Sequence, residues 1–245
     1  MSGSITLENR FGVNKMELIS LKYAIFVIVL LVLYYCFPKK YRWYVLLAGS
    51  MAYYVIICKW YVLFIIFTIC TTYGSTIWID KLLKEQNAIV KSHKEDWDRQ
   101  TRKEYKEKGR KKRVAVMLFA LLCNFGILAF LKYIPYAGEL GLLLPLGISF
   151  YTFQSMGYVM DVYREIVEPE KNFLKVALFV SFFPQIIQGP IAIYDKLAGQ
   201  LYEGHSLRLE NLQKGALLVL WGVMKKLVIA DRAVNIINFV MDKPM

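Results

Sequence analysis

The hydrophobic pattern of the chain comes in blocks. Apolar residues gather in nearly uncharged runs close to the twenty positions that a helix needs to cross a hydrocarbon core of about 30 Å. They do not follow the three-to-four spacing of a helix with one wet face. Residues 23–37 read YAIFVIVLLVLYYCF, and further blocks cover 43–58, 60–79, 114–131, 142–160, 173–194 and 212–230. The pattern predicts an all-α fold, a multi-pass transmembrane helical bundle, with 1–245 as part of one membrane-embedded domain. Hydrophobic residues make up 57% of the 245, with a mean hydropathy of +0.39, which argues against an ordinary soluble domain. The first block does not read as a cleaved signal peptide, because no basic cluster precedes it and no small-residue cleavage site follows.

Charge then orients the blocks. Residues 80–113 hold 13 Lys/Arg against 7 Asp/Glu, about half of the net +12. Aromatics interleave there only as Trp97 and Tyr105, so the stretch reads as a cytoplasmic loop under the positive-inside rule and not as a nucleic-acid patch. Its Lys/Glu-rich composition also suits a helix near anionic headgroups. Three blocks precede it, which places the amino terminus outside and Pro38–Arg42 inside, where Lys39, Lys40 and Arg42 belong. The expected location is the plasma membrane. Cys36, Cys58, Cys70 and Cys123 lie in or at the ends of apolar blocks without a CxxC pair, and read as small hydrophobes with no metal or disulfide role.

Two blocks carry polar groups at membrane depth. In LLLPLGISFYTFQSMGYVMDVYR, from Leu142, helical spacing puts Ser149, Thr152 and Met156 on one stripe and Gln154, Tyr158 and Asp161 on another. Such stripes either tie helices together or line a cavity. SFFPQIIQGPI, 181–191, is more pointed. Pro184 and Pro190 would clash with the carbonyls of Val180 and Ile186 in a continuous helix, Gln185 and Gln188 offer polar partners, and Gly189 permits close backbone approach. Broken backbone at that depth persists only where protein buries it or a wet cavity meets it. A broken or re-entrant helix is therefore expected around 181–191, either as a kink or as a place for something polar. Whether 173–194 crosses or turns back stays open, and with it the side on which Lys225 and Lys226 emerge.

LPLGISFYTFQSMGYVMDVYR (144–164), SFFPQIIQGPI (181–191) and MKKLVIADR (224–232), together with YYCFPKKYRWYVLLAGSMAYY (34–54) and FLKYI (130–134), resemble the membrane-bound O-acyltransferases. The resemblance is to the alginate O-acetylation and D-alanyl transfer branch. It implies an enzyme that moves an acyl group from a cytoplasmic thioester donor, acetyl-CoA or an acylated carrier protein, to a hydroxyl of an envelope polysaccharide or teichoic acid. It also implies no bound cofactor, an extracytoplasmic transferase as helper, and a tunnel lined by Ser149, Thr152, Gln154, Tyr158, Pro184, Gln185, Gln188, Gly189 and Pro190. The family works through a membrane-embedded histidine, whose pKa suits a base near neutral pH. The two histidines here, His93 and His205, lie in polar surroundings outside the apolar blocks. The chain is therefore expected to be an amino-terminal part, inactive alone, and no catalytic residue carries over. A transporter-like subunit, built on broken helices of the kind transporters use, and a non-catalytic membrane scaffold are the rival readings.

Overall fold

The computed structural model describes residues 21–93, 97–133, 145–187, 191–230 and 232–233. Regular structure among them is helical throughout. Helix α1 (Leu21–Cys36) is followed by a 3-10 turn (Lys39–Tyr41) and α2 (Arg42–Cys58); a second 3-10 turn (Lys59–Tyr61) leads into α3 (Val62–Ser92). Then come α4 (Arg99–Tyr133), α5 (Ile148–Tyr163), α6 (Phe173–Ser181), α7 (Phe183–Ile187), α8 (Tyr194–Tyr202) and α9 (Leu209–Met224), with a π-helical stretch over Lys225–Ala230.

The bundle has an apolar core, and polar residues are buried with it on faces of α3 and α4 whose opposite sides are apolar and exposed. On α3, Thr68, Thr72, Ser75 and Thr76 are buried while Ile66, Phe67 and Trp78 are exposed. On α4, Asn124 is buried while Leu118, Phe119 and Leu122 are exposed. Small and hydroxyl-bearing residues let α3 and α4 approach closely, as helices do where hydrocarbon rather than water surrounds them. The Asn124 amide nitrogen donates to Thr71 Oγ1 and to the Ala120 carbonyl, both at 2.9 Å, joining the two helices. An outer surface of Phe, Leu and Trp fits a lipid-facing bundle.

Most of the charged connection 80–113 is helix. α3 runs on to Ser92 and α4 starts at Arg99, so the charged residues form an antiparallel helical hairpin. Lys, Glu, Gln and Arg are good helix formers, and Lys84–Asp80, Lys81–Glu85 and Arg110–Glu107 are paired at helical spacing. The two arms meet at Gly109, which lies against the Gln86 side chain. With 31 and 35 residues, α3 and α4 measure about 46 Å and 52 Å at about 1.5 Å per residue, longer than a hydrocarbon core of about 30 Å.

Of the seven expected spans, two helical runs among the described residues are long and apolar enough to cross a membrane. These are Lys39–Ser92, taken through its 3-10 turn, and Arg99–Tyr133; Leu21–Cys36 and Phe173–Ile186 are shorter apolar helices. Among the described residues of the block 142–160, helix begins at Ile148, directly after Gly147 with its left-handed φ of 70°. Helix α9 and the π-helical stretch replace the block 212–230 and contain no buried residue.

Candidate functional site

The break in the 181–191 motif is real and has a definite place. Helix α6 stops at Ser181, and Phe182 turns to ψ 106° before α7 begins. The turn relieves the conflict built into Pro184. In a continuous helix its ring would strike the Val180 carbonyl, whereas in the first turn of a new helix its missing N–H is not needed.

Two side chains from other helices take up the backbone groups that the break releases. Had α6 continued, the Phe179 carbonyl would have accepted from the Phe183 N–H. Instead, Gln154 Nε2 of α5 donates to the Phe179 carbonyl at 2.8 Å. The Phe183 N–H donates to Ser50 Oγ of α2, a long bond of 3.4 Å. Gln154 and Ser50 are both buried, where an unmade hydrogen bond is costly.

The turn before α5 docks on the same break. A Cβ on Gly147 would collide with the Ile186 carbonyl oxygen and Cγ2. Glycine is thus required at 147 twice over, for its φ and for the close approach. On the far side Phe183 is buried among the rings of Tyr23, Phe26 and Tyr53, with centroids 5.3–6.1 Å apart. The three elements α2, α5 and the α6–α7 break form one junction.

After the break the chain folds back. Tyr194, at the start of α8, meets Phe179 near the end of α6 at 4.9 Å between centroids. Tyr202, at the end of α8, donates its hydroxyl to the Lys175 carbonyl near the start of α6 at 2.8 Å. Helices α6 and α8 are therefore antiparallel. Two residues on, Gly204 rests on the Lys39 backbone, and Arg42 donates to the His205 carbonyl. The segment ends beside the α1–α2 turn, at the end of the bundle where α6 began.

A second contact fastens the α5–α6 connection. Helix α5 ends in a Schellman turn, with Ile166 N–H on the Asp161 carbonyl and Glu165 N–H on that of Val162. Glu165 occupies the left-handed position usually given to glycine, at φ 60°. Its carboxylate meets Arg113 of α4 at 2.8 Å, and the Arg113 side chain is only 10% exposed.

The residues expected to line a tunnel fall as follows. Gln154 and Tyr158 share the α5 face toward α6: Gln154 bonds to Phe179, while Tyr158 stacks on Tyr194 at 4.1 Å and accepts from the Glu170 N–H at 2.8 Å. Thr152 is buried and Ser149 half-buried. Pro184 and Gln185 are half-buried in α7, and the Gln185 Oε1 atom is enclosed without a partner among the described residues. Gln188, Gly189 and Pro190 lie outside the described residues. His93 and His205 are both exposed, His93 at the tip of the α3–α4 hairpin and His205 beside the α1–α2 turn. Sequence reasoning missed Ser50 and Asn124. The available signal for Ser50 was the small pair Gly49–Ser50 inside an aromatic and aliphatic run, the mark of a close helix contact.

No protein-family model and no solved structure matches the chain. Curated proteins do. The chain is 31% identical over 165 aligned positions to the peptidoglycan O-acetyltransferase of Helicobacter pylori, a match covering 52% of this chain and 31% of that protein. It is 40% identical over 89 residues to the probable alginate O-acetylase AlgI of Pseudomonas syringae pv. tomato, covering 36% of this chain and 17% of that protein. It is 34% identical over 114 residues to the AlgI of Azotobacter vinelandii, covering 46% and 21%. These matches span less than a third of the length of each relative. Over the part they cover, the chain is similar to proteins named for the O-acetylation of peptidoglycan and alginate.

Proposed function

We propose that this chain forms part of a multi-pass membrane O-acyltransferase that moves an acetyl or similar acyl group from a cytoplasmic thioester to a hydroxyl of an envelope polysaccharide. The observation that carries the reading is the junction at Phe182. A helix is broken in the bundle interior, its freed carbonyl and N–H are capped by Gln154 and Ser50, and relatives that share part of this sequence are O-acetyltransferases. A broken segment that turns back leaves a thin place in the bundle where two substrates from opposite sides can approach. Gln185, whose enclosed amide oxygen has no partner among the described residues, is the polar group of α7 suited to face them.

In this reading the α1–α2 turn, the basic hairpin and residues 203–205 face the cytoplasm, and the amino terminus lies outside. The hairpin lysines and arginines then provide a cationic surface for an acidic thioester donor, either a coenzyme or a carrier protein, and an extracytoplasmic transferase receives the acyl group. Neither described histidine lies in the bundle interior. That observation favours a second reading, in which this chain supplies the path and docking surfaces while another segment or subunit supplies the base.

The test is deletion of the native gene followed by measurement of base-labile acetate released from envelope polysaccharide. Loss of acetate, restored by the wild-type gene and not by a Gly147→Val version, supports the proposal. Unchanged acetate overturns it. Acyl transfer by the purified 245-residue chain alone, in lipid, would overturn the second reading.

A further inference from the structure

An apolar groove runs between α1 and α2 and reaches, at its Phe26 end, the ring cluster around Phe183. It consists of two clefts of about 450 Å³ and 530 Å³ that share Phe37, Val45 and Ala48. These volumes fall within the range of about 300–1,000 Å³ usual for small-molecule sites. The first cleft extends from the shared residues to Phe26 and Ala52, and the second to Tyr41 and Tyr44. Its floor is made of small residues. Gly49 is held at that size by Leu30, whose side chain a Cβ would strike, and Ala48 and Ala52 flank it.

Length and charge indicate the occupant. Phe26 and Phe37 are eleven residues apart, about 16 Å along the chain at about 1.5 Å per residue, or roughly half of a hydrocarbon core of about 30 Å. A groove of that length suits one acyl chain from one leaflet, and is too short for a crossing helix. Its Tyr41–Tyr44 end opens beside the 3-10 turn that carries Lys39 and Lys40, with Lys40 Nζ 5.9 Å from the Tyr41 ring centroid. No acidic residue occurs between Tyr23 and Ile79, and among the described residues neither lysine is held by a carboxylate. Arg42 is occupied with the carbonyls of Phe37 and His205, which leaves the two lysines for a ligand.

We infer that the groove binds an anionic phospholipid, with one acyl chain along Phe26–Phe37 and the phosphate at Lys39 and Lys40. The inference rests on the membrane reading of α1 and α2 and does not depend on acyl transfer. Bound there, the lipid would complete the packing between α1 and the rest of the bundle at the end where Arg42 gathers the α1–α2 turn and residues 204–205.

The experiment uses the whole chain, purified from membranes into mild detergent, stripped of lipid, and offered phosphatidylglycerol or phosphatidylcholine of equal chain length. Mass spectrometry of the intact complex reads the lipid-bound fraction. Wild type should prefer phosphatidylglycerol. The Lys39→Ala/Lys40→Ala variant should lose roughly thirtyfold of that preference, the combined effect of two surface lysines on an anionic headgroup. Ala48→Phe should lower binding of both lipids, and Ala48→Leu, a milder filling of the groove, serves if the phenylalanine variant fails to fold. Equal lipid binding by wild type and a folded Ala48 variant overturns the proposal, as does a preference that survives removal of both lysines. Lipid-free dimers that Ala48→Phe dissociates would also overturn it, by assigning the groove to a second copy. Recovery of the chain in the soluble fraction would overturn the membrane reading itself, whereas an inserted chain that takes up no lipid would overturn the groove alone.

Discussion

Gln154 donates its side-chain amide to the Phe179 carbonyl at 2.8 Å, taking the place that the Phe183 N–H would have filled in an unbroken helix. A residue on α5 thus completes the hydrogen bonding of α6, and the break becomes part of the packed interior. Replacing Gln154 by Leu keeps the volume and removes the donor. The expected cost is about 1–3 kcal/mol, the penalty of a buried carbonyl left unpaired. Thermal unfolding in detergent, followed by tryptophan fluorescence, measures it.

Gly147 should resist even alanine. The left-handed conformation alone costs a non-glycine residue about 1–2 kcal/mol, and the added Cβ meets both Ile186 Cγ2 and the Ile186 carbonyl. Ile186→Ala removes the first contact and leaves the second. The double variant should therefore recover only part of the loss in unfolding temperature; full recovery would show that the side chain was the sole obstacle.

The Phe183 ring anchors α7 against α1 and α2. Phe183→Ala should destabilise by about 3–5 kcal/mol, the usual cost of emptying a buried aromatic site. The loss should appear as earlier proteolysis near the α6–α7 break than in the α3–α4 hairpin.

Glu165 sets backbone strain against an ion pair. Glycine at 165 relieves the φ of 60° and gives up the contact with Arg113; alanine gives up the contact and keeps the strain. Glu165→Ala should have the lowest unfolding temperature, with Glu165→Gly close to wild type. The two variants should differ by about 1 kcal/mol. The carboxylate is 53% exposed, so the loss of the pair itself should be modest.

Much of this architecture was readable from residue types. Two prolines, two glutamines and a glycine in one apolar stretch forced a break, and the structure puts it at Phe182, just ahead of Pro184. The shared stripe of Gln154 and Tyr158 also appears as one face, directed at α6. The fold-back was not readable, because it depends on long-range contacts: Tyr202 on Lys175, Tyr194 on Phe179 and Gly204 on Lys39. The helical character of the hairpin was legible in its lysines and glutamates, whereas the pairing of its two arms was not, because it depends on contacts such as Gly109 on Gln86. Ser50 went unnoticed because a serine in an apolar helix ordinarily bonds to its own backbone. Its part in the junction becomes visible only when Phe183, 133 residues away, is placed beside it.

The fold-back of 173–202 is the central claim, and labelling of single cysteines tests it most directly. In a variant lacking Cys36, Cys58, Cys70 and Cys123, one cysteine is placed at Ser92, in the hairpin, or at His205. Intact cells are then treated with a membrane-impermeant maleimide. Both positions should be protected in intact cells and labelled after the membrane is opened, because residue 205 lies beside the α1–α2 turn, at the bundle end where α6 begins. Labelling at 205 with protection at 92 would mean that the segment crosses the membrane, and would contradict the account.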